Sequence, residues 1–349
     1  MLTETQRLVI KTATFLATVL VVLRHGQNLH LYYENGSVWM PATDANIFIQ
    51  EFISRFSDLA IPFFFMLSGF LYFLGTETFS QIKEKNIRRI HSLLIPFLLW
   101  NILEIIFWGG LSFVPALHDQ MIKSFGIDWS FLWILKKITI EPMNGPFWYI
   151  RTLIIFCALS PAFLIIFRHK LISLMIFGLL MRYWMHIDCG IFSTEGLACF
   201  FLGGMIGYNK WHEKLEYREW VCPLLFVAIG TLISLNFFRI TFSGAFYLRI
   251  FLSVVFLIQF SLWSQKSASV RKNIGFVSSK SFFLYAIHGD TLAATSVLLS
   301  RYIPHTPTNS LLLYFTCSLT IILCSLLAAH FLQKIFPKGY SLLTGGRGK

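Results

Sequence analysis

Arg24 and His25 stand side by side in the apolar stretch ATFLATVLVVLRHGQNL. Ionisable residues inside a membrane segment are costly and by default mark a site or a pathway. At about 100° per residue, Lys11, Thr14, Thr18 and His25 share one polar stripe of a helix, with Leu16, Leu20, Val22 and Leu23 opposite. A helix lining a polar cavity needs such a stripe, and one facing lipid does not. His25 lies about 21 Å along the helix from Lys11, past the middle of a hydrocarbon core of about 30 Å. A neutral imidazole there can take a proton from a hydroxyl. The alternative is a helix-end histidine bonded to nearby backbone. Arg24 points about 100° away and either pairs with a buried acid such as Glu104 or snorkels outward.

Three further groups have side chains suited to chemistry. Arg151 follows Trp148 and Tyr149 in GPFWYIRTLIIF. It suits an anionic substrate group or a structural acid, while the two aromatics equally suit an interfacial belt. His288, in SFFLYAIHGD and near Asp290, is either a second polar centre or a packing histidine. Lys83, Lys85, Arg88, Arg89 and His91 form a basic cluster before an apolar run. Capture of a phosphorylated ligand and simple control of topology both explain it. The chain has no P-loop, GxSxG elbow or dinucleotide fingerprint, and HEKLE at 212–216 lacks the second histidine of a zinc motif. These absences argue against an ATP-driven pump, a serine hydrolase and a zinc protease. The six cysteines (Cys157, Cys189, Cys199, Cys222, Cys317 and Cys324) show no CxxC spacing and read as small packing residues, so no metal is expected.

The elements that position these residues are membrane helices. Only 13% of the 349 residues are charged and 56% are hydrophobic, against about 25% charged in soluble domains. Ten apolar segments approach the span unit of about 20 residues: 11–31, 57–75, 92–115, 146–167, 170–187, 196–209, 219–237, 246–264, 276–299 and 310–335. They predict an all-α polytopic bundle around a polar cavity, forming a single domain over residues 1–349. Gly203, Gly204 and Gly207 in the sixth segment predict close helix contact. Pro62 and Pro161 are expected to kink or start their helices. With both termini cytoplasmic, nineteen of the 29 Lys and Arg fall inside, seven outside and three within spans. This positive-inside bias accounts for most of the +12 charge and leaves no call for nucleic acid as a partner.

Six segments in order give the chain a resemblance to the acyltransferase-3 family of integral-membrane acyltransferases. They are VVLRHGQNL, IPFFFMLSGFLYF, KEKNIRRIHSLLIPFLLW, GPFWYIRTLIIFCALSP, FFLGGMIGY and SSKSFFLYAIHG. The resemblance implies a bundle of about ten helices in the inner (plasma) membrane, with acetyl-CoA or another acyl-CoA as donor. The acceptor it implies is a hydroxyl on a cell-surface glycan or a related envelope or secreted molecule. His25 matches the family's first-span histidine, the general base. Ser68, Gly69 and Phe70 match its SGF turn. Arg88, Arg89 and Pro96 match its cytoplasmic basic motif, which together with Lys11 and Ser68 is expected to hold the donor. Trp148, Tyr149, Arg151, Tyr285 and His288 are expected on the acceptor side. The family commonly carries an arginine eleven residues before the histidine. Here that position is Thr14, with Lys11 one turn earlier on the same face. The rival readings are an exporter of a glycan or lipid-linked sugar and a non-catalytic member of a glycan-assembly complex. A homodimer is left open.

Overall fold

The computed structural model describes residues 2–28, 43–183, 191–214, 218–240, 242 and 244–347. Residues 29–31 of the first predicted span, 184–187 of the fifth, and Cys189 lie outside the described residues. The described chain is helical throughout: α1 Glu4–His25, α2 Asp44–Ser57, α3 Ala60–Phe73, α4 Phe79–Arg89, α5 Ile95–Glu104, α6 His118–Phe125, α7 Phe131–Thr139, α8 Trp148–Phe167, α9 Lys170–Tyr183, α10 Thr194–Tyr208, α11 Val221–Phe237, α12 Ala245–Ser264, α13 Ala268–Ser278, α14 Ser281–Ser300, α15 Pro307–Ile335 and α16 Pro337–Leu343. π-helical segments at Ile90–Leu94 and Ile105–Gly109 flank α5.

Each of the ten predicted segments contains an apolar helix. Among the described residues, seven helical stretches are long and apolar enough to cross a membrane: Glu4–His25, Asp44–Phe73, Phe79–Gly109, Gly145–Phe167, Ala245–Ser264, Ser281–Ser300 and Pro307–Ile335. Helices α9, α10 and α11 have 14, 15 and 17 residues. At 1.5 Å per residue they reach about 21–26 Å, short of a hydrocarbon core of about 30 Å. The lipid-adapted character is clearest in α15. Its exposed stripe is Leu312, Phe315, Leu319, Leu323 and Leu327, while Ser310, Cys317, Ser318, Ser325 and Ala329 are buried. Leu313, Tyr314, Ile321 and Ile322 are buried with them, so large apolar residues lie on both faces while the small and hydroxyl residues lie inward, as lipid gives leucine no reason to hide.

The chain forms two compact units, Met1–Phe64 with Glu213–Phe331 and Phe65–His212 with Leu332–Lys349. In the first, α1 packs against α2, α12, α13 and α14. Its buried side carries Val9, Ala13, Ala17 and Val21, small enough for close neighbours. In the second, α10 packs on α8 and α9, α4 packs on α8, and α16 packs on α5.

The prolines act where the sequence places them, in two different ways. Pro62 cannot bond back to the carbonyl of Asp58, and the helical ladder breaks at Asp58–Leu59 between α2 and α3. Pro161 neither starts nor ends a helix but sits inside α8. It frees the carbonyl of Cys157, which accepts instead from the Ser160 hydroxyl at 2.6 Å.

Ser68, Gly69 and Phe70 form no turn; they lie within α3. The glycine is needed for space. A Cβ on Gly69 would stand 2.0 Å from the Phe200 carbonyl oxygen, and one on Gly203 would stand 1.8 Å from that of Met66. The backbones of α3 and α10 therefore touch through Gly69, Gly203 and Gly207.

Candidate functional site

His25 is the last residue of α1 and keeps water-accessible surface. It makes no hydrogen bond among the described residues. His288 is fully buried, and its ring meets that of His25 edge to face with centroids 5.1 Å apart. The Nδ1 of His288 lies 2.7 Å from the carbonyl oxygen of Tyr285. A carbonyl only accepts, so Nδ1 carries the proton and the neutral ring has its lone pair on Nε2. That Nε2 is buried with no hydrogen-bond partner among the described residues. Buried polar groups are nearly always paired, so an unpaired lone pair beside an exposed histidine marks a polar centre.

The end of α1 is fixed from several sides. Tyr314 donates its hydroxyl to the carbonyl of Leu23 at 2.9 Å. Gly26 packs closely on α15, where a Cβ would stand 2.3 Å from Ser318 Oγ. The Gln50 side chain accepts from the backbone of Asn28 at 3.0 Å and donates to the Oδ1 of Asn28 and of Asn46, both at 2.8 Å. Asn28 in turn donates to the Ser310 carbonyl at 2.7 Å and accepts from the Ser310 hydroxyl at 3.0 Å. Every partner in this network is a neutral amide, hydroxyl or carbonyl, which makes a rigid and uncharged floor.

Arg24 pairs with neither Glu104 nor solvent alone. Its guanidinium lies 2.7 Å from Asp58 and donates to Ser54 Oγ at 2.7 Å. Asp58 also takes Arg249 on its other oxygen at 2.9 Å. Glu104 instead accepts from the Asn144 side chain at 3.0 Å. The Asp58 carboxylate, at the C-terminal end of α2, thus ties α1, α2 and α12 together.

Helix α2 is the element that sequence patterning misses. Its buried residues are Asn46, Gln50, Ser54 and Ser57. The spacing is helical, but the inward face is polar, opposite to the usual amphipathic rule. Of the predicted stripe on α1, Lys11 is exposed, Thr14 is half-buried and Thr18 is buried with its hydroxyl donating back to the Thr14 carbonyl at 2.9 Å.

The second unit gathers other predicted residues. Ser68 and Tyr149 share a hydrogen bond of 3.1 Å, and Trp148 and Tyr149 both pack on Phe65. Arg151 donates to the carbonyl of Ile140. In the basic cluster, Lys85 caps α3, donating to the carbonyl of Tyr72 and to Thr76 Oγ1, both at 2.6 Å. Arg88 is exposed beside Glu84 at 3.7 Å. Arg89 is half-buried and makes no hydrogen bond or ion pair among the described residues.

The first unit thus holds His25, His288, Tyr285 and Lys11, and the second holds Ser68, Arg88, Arg89, Trp148, Tyr149 and Arg151. An all-helical chain with membrane-length apolar helices and inward-turned polar residues defines a polytopic membrane protein built around buried polar centres. The chain belongs to the acyltransferase-3 family: the family's model, described as an acyltransferase domain, matches residues 13–330. It is therefore a multi-pass membrane acyltransferase. No curated protein and no solved structure matches it.

Proposed function

We propose that this membrane acyltransferase moves an acyl group, acetyl in the simplest case, from acyl-CoA to a hydroxyl of a cell-surface glycan or related envelope acceptor, in the inner membrane. The observation that carries the reading is the exposed, unbonded imidazole of His25 held against the tautomer-fixed ring of His288.

His25 acts as general base. It takes the acceptor's hydroxyl proton as the oxygen attacks the thioester carbonyl carbon. The tetrahedral intermediate collapses with cleavage of the carbon–sulfur bond. The imidazolium returns the proton to the departing thiolate, leaving an ester and free CoA. His288 is a positioning residue, because its fixed tautomer offers His25 a lone pair and no competing N–H. The donor's phosphates fall to the basic cluster, with Arg89 better suited than Arg88 because Arg88 is engaged by Glu84. Arg151 donates one bond to backbone and has further N–H donors, so it and Trp148 are the candidates in this unit for the acceptor.

The test is transfer of radiolabel from acetyl-CoA to surface glycan in membranes carrying the wild-type protein or His25→Ala. The expected result is loss of transfer at equal expression. Undiminished transfer would remove His25 from the chemistry.

A further inference from the structure

Pro96 has no amide hydrogen, so it cannot bond to the carbonyl of Ser92 four residues earlier. The chain passes this point as a π-helix, Ile90–Leu94, a form often found at functional sites. Arg89 immediately precedes it.

The C-terminal segment docks here as a hook. Helix α16 buries Tyr340, and Trp100 donates its indole N–H to the Leu343 carbonyl at 3.0 Å. The turn that follows needs two left-handed glycines, Gly345 at φ 61° and Gly346 at φ 77°. Gly345 lies so close to the π-helix that a Cβ there would stand 2.5 Å from the Ser92 carbonyl oxygen. Thr344 is fully buried, and its carbonyl accepts from the guanidinium of Arg347 at 3.1 Å.

The hook brings Arg347 within electrostatic reach of Arg89 and of Tyr149, whose hydroxyl bonds Ser68. Burial first, and then the like charge of Arg89, push the Arg347 guanidinium down to about 10, still charged at neutral pH. The residue as a whole is nonetheless exposed, so a solute can reach it. Two guanidiniums gathered beside a phenol, with no carboxylate on Arg89 among the described residues, are matched by an anion carrying more than one charge.

We propose that Arg347 of the C-terminal hook and Arg89 form one anion site that takes the phosphate groups of the acyl-CoA donor. The assignment rests on the acyl-CoA reading above. The headgroup phosphate of an anionic lipid has the same chemistry, so the experiment separates the two sources.

CoA affinity is measured by titration calorimetry on the full-length protein in phospholipid-free detergent, for wild type, Arg347→Gln and Arg347→Lys. Thermal stabilisation by phosphatidylglycerol nanodiscs is measured for the same three. The expected result is CoA binding by wild type, weakened on the order of tenfold in Arg347→Gln and partly restored in Arg347→Lys. Equal affinity in Arg347→Gln overturns the hook's role while leaving the donor reading intact. Loss of phosphatidylglycerol stabilisation in Arg347→Gln with unchanged CoA affinity also overturns it, in favour of a lipid headgroup. Absence of CoA binding by the wild type sinks the donor reading and the hook site together.

Discussion

The ring of His288 meets that of His25 edge to face at 5.1 Å, and the backbone of Tyr285 decides which nitrogen of His288 carries the proton. One histidine is thus buried and tautomer-fixed, and the other is exposed and makes no hydrogen bond among the described residues. On the mechanism proposed above, that division separates positioning from proton transfer. His25→Ala should lower acyl transfer by about 10²–10⁴-fold, the usual worth of a general base. His288→Gln should lower kcat less and leave KM for the donor unchanged. It should also move the acid limb of the pH–rate profile, because the neighbour of the base has changed. Steady-state kinetics across pH 5–9 would check this. An unchanged profile with a lowered melting temperature would reduce His288 to a packing role.

Asp58 receives two arginines of unequal burial. The side chain of Arg24 is 47% exposed and that of Arg249 only 7%, with Asp58 at 18%. Removing one partner of a buried ion pair costs more than the pair contributes, because the other charge is left stranded. Asp58→Asn should therefore destabilise the protein by about 3–5 kcal/mol. Arg24→Gln should cost much less, since water already screens that guanidinium. Melting curves of the purified variants in one detergent give the order. If Arg24→Gln proves the more damaging, the charge left stranded is not that of buried Arg249.

The membrane class and the helix positions are legible in the sequence, because long apolar runs are local signals; an ionisable residue inside one singles out His25 as a candidate in the same way. The close approach of α3 and α10 is legible in part. Gly203 and Gly207 announce a small-residue face, but their partner Gly69 is identified only when the helices are paired. Helix α2 is hidden, since Asn46, Gln50, Ser54 and Ser57 read as a polar connection until the inward direction of that face is known. The partner of Arg24 is hidden as well. Asp58 opens the second predicted span, and nothing in the linear pattern prefers it to Glu104. The hook is the least legible element, because a short glycine-rich tail reads as a loose end. Its meaning comes from Pro96 and the π-helix against which Gly345 is seated.

Glycines that look alike in the sequence should respond oppositely to a methyl group. On Gly203 a Cβ would fall 1.8 Å from the Met66 carbonyl oxygen, a backbone atom that cannot swing aside. On Gly178, within α9, a Cβ would meet nothing within 4 Å. Gly203→Ala must separate α3 from α10 and should cost about 1–3 kcal/mol or more, as overpacking does. Because Ser68 sits beside Gly69 and bonds Tyr149, the same separation should also weaken acyl transfer. Gly178→Ala has only the helix-propensity term, which favours alanine by about 1 kcal/mol in a helix interior. It should leave transfer unchanged and raise the melting temperature slightly. Paired melting and transfer assays decide the matter. Equal responses at the two positions would mean that the α3–α10 backbones do not touch, and that Gly69 and Gly203 face lipid.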